Sequence, residues 1–170
     1  MKMEYSSWLQ KKVIEPSKLE DKVLELRSKG LTIATLNGSF DLLHAGHLYI
    51  LYEAAKQGDS LIVALNTDRS IQSYKSLHRP IVPLLFRLEM MAAIECVDYV
   101  TWFDELDPCV LLSQIKPDVH VNGVEYKENC IEEDVVKKNG GHLHFVDRIA
   151  SFSTSDLIKK IKGLPEVECV

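Results

Sequence analysis

A chain of 170 residues, 46% hydrophobic and 26% charged, has the size and balance of one compact globular domain. Its formal net charge of −5, without a long basic run, argues against a dedicated nucleic-acid binder, whose footprint is a basic patch. No apolar stretch approaches the ~20 residues of a membrane helix, and residues 1–12 lack a signal-peptide core, so the expected location is cytoplasmic with no membrane partner.

Residues 1–16 are polar and mixed, a short helix or an arm. Ser17-Lys18-Leu19-Glu20 reads as a capping box. Leu19, Val23 and Leu26 then recur at helical spacing until Gly30 supplies a stop. The apolar, β-branched run over 31–36 predicts a buried strand closed by a turn at Asn37-Gly38. Residues 47–57 read as a helix, 60–65 as a second strand, and 70–82 as a basic loop carrying Lys75, His78 and Arg79. Pro83 opens a long predicted helix to about residue 95, with Leu84, Leu88, Met91 and Ala92 at helical spacing. A third strand is expected over 97–102. Asp107 and Pro108 read as N-cap and first residue of the next helix, and a fourth strand over 119–121 ends in Asn122-Gly123. A helix over 129–139 stops at Gly140-Gly141, and a fifth strand spans 142–146. Residues 148–155 read as a loop, Ser155 begins the last helix, and the tail from Gly163 is polar.

This alternation predicts an α/β fold: a Rossmann-like, doubly wound parallel sheet of five strands covered on both faces. One domain is expected over 1–170, with a helical segment at 1–30, the core at 31–161 and a tail at 162–170. Ligands of such sheets bind at the carboxyl ends of the strands, near a switch in strand order. Polar residues without an obvious structural task gather there, at 37–47, 66–68, 122–126 and 148–155. Cys96, Cys109, Cys130 and Cys169 show no C-x-x-C spacing, so reduced thiols and no metal site are expected.

Residues 37–47 carry the strongest chemical signal. Strand, glycine turn and helix start bring free N–H groups and the helix dipole to one point, which suits an anion. Asn37, Gly38, Ser39, Phe40, Asp41, His44, Gly46 and His47 form this segment. His44 and His47 lie three apart and share a helical face. As metal ligands they lack a third partner with clear spacing; a structural role is the default for a single histidine. Phosphate binding uses the glycine turn and Gly46 as well.

Gly38-x-Phe40-Asp41-x-x-His44-x-Gly46-His47 resembles the signature of the cytidylyltransferase-like nucleotidyltransferases. The segment from Arg148 to Ser155 resembles their R-T-x-G-I-S-T-[ST] element at Arg148, Ser153, Thr154 and Ser155, and departs from it at Ile149, Ser151 and Phe152. Within that superfamily the chain is most similar to the D-glycero-β-D-manno-heptose 1-phosphate adenylyltransferases. The shared stretches are Arg79-Pro80-Ile81, residues 95–100, Lys116-Pro117-Asp118 and residues 153–158. Those enzymes read V-K-G-G-D-Y after the fourth strand, where this chain has Val121-Asn122-Gly123-Val124-Glu125-Tyr126.

The resemblance implies transfer of AMP from ATP to a sugar phosphate, D-glycero-β-D-manno-heptose 1-phosphate, with release of pyrophosphate, for ADP-heptose and lipopolysaccharide core synthesis. His44 and His47 are then expected at the triphosphate. Lys75 and Arg79 would neutralise phosphate charge, unless they belong to an ordinary solvated loop. Arg148 would hold phosphate oxygens, and Ser153, Thr154 and Ser155 would receive them at a helix start, unless they only cap it. Gly123, Glu125 and Tyr126 would line the base and ribose, and Asn122 the substrate rim. Asp68 would face the sugar, orient Lys75 or serve the turn; Asp41 would tie down the loop or touch nucleotide. Mg²⁺ is expected with the nucleotide, and a homodimer by resemblance. The alternatives are a cytidylyltransferase for glycerol 3-phosphate or another polyol phosphate, and a nucleotide-binding domain without turnover.

Overall fold

The computed structural model describes residues 11–147 and 153–165. Five strands form one all-parallel sheet: β1 (Ile33–Gly38), β2 (Ser60–Asn66), β3 (Tyr99–Phe103), β4 (Val119–Gly123) and β5 (His142–Val146). Their spatial order is β3-β2-β1-β4-β5. The helices are α1 (Leu19–Ser28), α2 (Ala45–Ala55), α3 (Asp68–Tyr74), α4 (Leu84–Ala92), α5 (Cys109–Ile115), α6 (Glu133–Lys138) and α7 (Thr154–Lys162). Short 3₁₀ turns cover Pro16–Lys18 and Val124–Asn129.

Successive strand residues point to opposite faces, so alternate positions feed two separate cores. Ala34, Leu36, Leu61, Val63, Val119 and Val121 pack with Leu51 and Ala54 of α2 and with Leu88, Met91 and Ala92 of α4. Ile33, Ile62, Ala64 and Phe103 pack with Leu19, Val23 and Leu26 of α1 and with Leu111 and Ile115 of α5. His120 is fully buried, and its Nδ1 lies 2.8 Å from the Thr35 hydroxyl. Close approach fixes Gly141, because a Cβ there would collide with the Pro117 carbonyl.

Strand order reverses between β1 and β4, and there the sheet opens. The β1–β4 ladder runs from Ala34–Val119 only to Leu36–Val121. Beyond it, Asn37 and Gly38 continue to pair with β2, while Asn122 and Gly123 continue to pair with β5. The splayed ends leave a crevice at the switch point, the place where such sheets receive ligands.

Several boundaries differ from the sequence reading. The capping box at Ser17 does not form: Pro16 starts a 3₁₀ turn that contains Ser17, and Lys18 becomes the N-cap of α1 with no side-chain bond. Asn37 and Gly38 finish β1 rather than turn. The turn is made instead by Phe40 and Leu42, both left-handed with φ of 46° and 51°. The basic loop at 70–82 contains α3, capped by the Thr67 hydroxyl, which accepts from Ser70 N–H. Only Ser70 and Ile71 of α3 are buried, too few to leave an apolar period. Pro83 is the N-cap of α4, which ends at Ala92. The helix expected over 129–139 is interrupted by extended backbone at Cys130, and α6 begins at Glu133. Pro108, expected as the first helical residue, is instead the N-cap of α5, one position later than expected, and the Asp107 carboxylate before it accepts from Cys109 N–H at 2.9 Å.

Candidate active site

The segment after β1 is held in its left-handed turn by partners far along the chain. Asp41 is 1% exposed. Its carboxylate accepts from Ile81 N–H and Val82 N–H, both at 2.9 Å, and from Arg79 Nε at 2.8 Å. Burial pushes that carboxyl up, but these donors outweigh it and hold it below the usual carboxylate range. The Asp41 carbonyl accepts from the Thr154 hydroxyl at 2.9 Å, which ties the start of α7 to the same loop. Of the two tasks considered for Asp41, the observed contacts serve the first: it ties the loop down.

His44 is the N-cap of α2, and its Nδ1 accepts from Gly46 N–H at 3.1 Å. The His44 and His47 rings stack with centroids 3.9 Å apart. Phe40 closes the other side of His47, 5.4 Å away. Burial, then the neighbouring His44 and Lys75, push His47 down to about 4. It is therefore a neutral imidazole near pH 7, and its buried Nδ1 has no hydrogen-bond partner among the described residues. This removes the positive charge from His47 in the free protein and leaves it a neutral hydrogen-bonding group.

Lys75 reaches back from the end of α3 and donates to the Ser39 hydroxyl at 2.7 Å. Burial and the nearby Arg79 lower its pKa, against the pull of Asp41. Asp68 does not orient Lys75. It pairs with Arg87 at 2.6 Å and stands apart from the residues lining the cleft.

Arg87 organises this wall and was missed from the sequence. It is 1% exposed. It donates to the Ser39, Asn66 and Val82 carbonyls at 2.7, 2.9 and 2.9 Å, besides Asp68. One guanidinium thus joins the β1 loop, the end of β2, the start of α3 and the entry to α4. A signal existed: Arg87 falls on the apolar stripe of its helix, where a charge must be paired.

A cleft of about 630 Å³ opens over the splayed strand ends. Asn37, Gly38, Ser39, Phe40, Asp41, His44, Gly46 and His47 line it from β1 and α2, and Lys75 and Arg79 from the α3–α4 connection. Ser153, Thr154 and Ser155 close one end. Ser153 caps α7, accepting from Asp156 N–H at 3.2 Å. Asn122, Gly123, Glu125 and Tyr126 form the opposite wall, where the Glu125 carboxylate folds over Gly123. Seventeen expected site residues therefore meet at one opening. Asp68 lies outside it, and Arg148 lies outside the described residues. Phe103, Leu106, Ile131, Glu132 and Asp147 also line the cleft and were not anticipated.

The family model described as cytidylyltransferase-like matches residues 35–162, most of the chain. The chain belongs to the cytidylyltransferase-like family. Its class is accordingly that of the nucleotidyltransferases. The bifunctional protein HldE of Azorhizobium caulinodans is 42% identical over 137 residues, 80% of this chain and 29% of that protein. HldE of Koribacter versatilis is 41% identical over 152 residues, 89% of this chain and 31% of that protein. The chain thus spans about a third of the length of these curated relatives. Among solved structures, the lipopolysaccharide core biosynthesis protein of Thermoplasma volcanium is 27% identical with a TM-score of 0.58. It covers 71% of this chain and 98% of its own. Pantoate-beta-alanine ligase of Francisella tularensis, 14% identical with a TM-score of 0.60 over 89% of this chain and 77% of its own, shares the fold. Among the described residues, no helix is long and apolar enough to cross a membrane.

Proposed function

We propose that this chain transfers AMP from ATP to D-glycero-β-D-manno-heptose 1-phosphate, giving ADP-heptose for lipopolysaccharide core synthesis and releasing pyrophosphate. The carrying observation is the crevice between β1 and β4, with stacked histidines, Lys75 and Arg79 on one wall. The HldE relatives and the Thermoplasma protein support the choice of pathway.

In this reading an oxygen of the acceptor phosphate forms a bond to the α-phosphorus, and the bond to the leaving pyrophosphate breaks. The acceptor is already an anion, so no general base is needed. The work is to hold two polyanions together and to stabilise charge on the groups that exchange. His44 and His47 hydrogen-bond the phosphates from the helix start. Lys75 and Arg79 supply positive charge, Ser153 and Thr154 donate from the start of α7, and Arg148 completes the set. Glu125 and Tyr126 face the nucleoside, with Asn122 at the substrate rim. Mg²⁺ would arrive with the triphosphate and neutralise part of its charge. Both oxygens of Asp41, the buried carboxylate of the loop, are already engaged, so the ligands of that ion would come from the phosphates and water. A homodimer belongs to the same proposal and is checked by light scattering.

The second reading is CTP with glycerol 3-phosphate, which the His44–His47 and Ser153–Ser155 segments fit equally well; the departure from the heptose-enzyme pattern at Asn122 and Glu125, both lining the cleft, leaves base and sugar preference open. Pyrophosphate release decides between them, measured with ATP and with CTP against heptose 1-phosphate and glycerol 3-phosphate, each with Mg²⁺. The expected result is turnover with ATP and heptose 1-phosphate. Turnover only with CTP and glycerol 3-phosphate overturns the substrate. No release with any sugar or polyol phosphate overturns the enzyme reading.

A further inference from the structure

The wall beyond β4 contains a buried acid with no place in the scheme above. Glu132 is 6% exposed and lines the cleft. Among the described residues its carboxylate contacts two groups: Asn122 Nδ2 at 3.5 Å and Cys130 Sγ at 3.3 Å. Neither is a cation, and the amide contact is at the outer limit of a hydrogen bond. The Asn122 Oδ1 is already engaged, accepting from Gly123 N–H at 3.0 Å. Burial, then Glu132 itself, push the Cys130 thiol up to about 11, so it stays protonated and offers only a weak S–H donor.

A carboxylate has about four acceptor positions, and a buried one left short of donors is costly. Among the described residues no other side chain supplies them: Asn129, which also lines the cleft, makes no hydrogen bond to Glu132, and Leu106, Pro108 and Ile131 of the same cleft are apolar. Among the described residues, every Lys, Arg and His lining the cleft comes from the β1 loop, α2 or the α3–α4 connection. A phosphate would therefore be repelled at Glu132 and attracted to the other wall. A neutral group bearing hydroxyls has the opposite preference, because each O–H donates to the carboxylate while its oxygen accepts from the Asn122 amide.

We propose that Glu132, presented beside Asn122, is a specificity-determining residue that accepts hydrogen bonds from the hydroxyl groups of the acceptor and so orients its phosphate toward the histidine wall. This rests on the sugar-phosphate reading above. Ribose hydroxyls of the nucleotide have the same chemistry, and the test separates the two sources.

The experiment measures steady-state pyrophosphate release by the full chain, first for the wild type with ATP, Mg²⁺ and a panel of sugar and polyol phosphates. Glu132→Gln and Glu132→Ala follow, with heptose 1-phosphate and its single-deoxy analogues. The expected result is an acceptor KM raised about tenfold to a hundredfold, the usual effect of losing a hydrogen bond to a charged group. The KM for ATP stays within about twofold. One deoxy analogue is then used equally well by wild type and variants, because the group that Glu132 reads is gone from it. A purely structural Glu132 would lower thermal stability without that analogue-dependent loss, and this outcome overturns the proposal. A raised KM for ATP with the acceptor KM unchanged assigns Glu132 to the ribose and overturns it too. If Glu132→Ala fails to fold, the isosteric Glu132→Gln decides by the same readouts. A wild type inactive on the whole panel means that the enzyme reading has failed, and this inference with it; an active wild type with indifferent variants fails the inference alone.

Discussion

In the wall that carries His44 and His47, anchoring is dense. Asp41 satisfies two backbone N–H groups and a guanidinium, and Arg87 satisfies three carbonyls and a carboxylate. In the wall that follows β4, a buried carboxylate has a long amide contact and a thiol. Both walls border one crevice, yet they solve different problems. The first holds a strained loop, with Phe40 and Leu42 left-handed, in one geometry. Such strain persists only where the surroundings over-determine it. It suits the triphosphate-binding role proposed for this wall, where the same group would be met in every turnover. The second wall leaves hydrogen-bonding capacity unspent, which suits a group that distinguishes one neutral polyol from another.

The largest effect should come from cutting the hub of the anchored wall. Arg87→Met keeps the stem and removes the guanidinium, leaving three carbonyls and Asp68 without their partner. Asp68 is partly exposed and adds little, but a buried carbonyl left without its donor costs about 1–3 kcal/mol, and the three together give roughly 10 °C in Tm for a chain of this size. Thermal unfolding checks it. An equal loss of Tm in Glu132→Ala would erase the contrast between the walls.

His44→Ala or His47→Ala should act on rate rather than on folding. Removing one donor to a developing negative charge costs about 10²–10³ in kcat. Asp41, Arg87 and Thr154 hold the anchored loop without either imidazole, and His44→Ala adds only the loss of the α2 cap bond, about 1 kcal/mol. Paired measurements of kcat and Tm test this; normal turnover by both variants would remove the histidines from the mechanism.

The pH dependence of stability separates the histidines of the site from the histidine of the core. His47 and His120 are both pushed down to about 4, in each case first by burial. Between pH 6.5 and 4 the unfolded chain binds protons that the folded chain refuses, so stability falls as pH drops through that window. For His120 the full loss is on the order of 3 kcal/mol. Bound ATP favours the protonated form of His47 and should shrink its share of the loss, leaving that of His120 unchanged. Urea unfolding at pH 7.5, 6 and 5, with and without ATP, checks this on the wild type and on His120→Gln. The His120→Gln variant should lose less stability on acidification, with or without nucleotide.

The sheet was legible in the sequence because β1, β2 and β4 are short apolar runs with glycine or proline close by, and strand-helix alternation leaves few topologies open. The convergence of the loops at 37–47, 122–126 and 153–155 follows from that topology alone. What escaped was decided by contacts distant in sequence. Gly38 looked like the turn, but the turn falls on Phe40 and Leu42, because Asp41 is pinned from residues 79–82 and 154. Asp68 looked free for substrate or for Lys75 because its partner, Arg87, lies 19 residues on. Glu132 was not singled out within the helix expected over 129–139; the structure breaks that helix with extended backbone at Cys130 and buries Glu132 just before α6.

The smallest expected effect is the one that tests the second wall most directly. Asn122→Lys restores the residue of the heptose-enzyme pattern and places an ammonium beside Glu132. The new cation satisfies the carboxylate that the wild type leaves short, so a hydroxyl gains less by binding there. Stability should change little, since Asn122 is only half-buried: Lys loses the bond that Asn122 Oδ1 accepts from Gly123 N–H and gains an ion pair with Glu132. Discrimination between acceptors should fall by about tenfold in kcat/KM ratio, while the ATP to CTP ratio stays within about twofold. Competition assays with paired acceptors measure the first ratio and paired nucleotides the second. A shift confined to the nucleotide ratio would place Asn122 at the base, and Glu132 would then lose its neighbour in acceptor recognition.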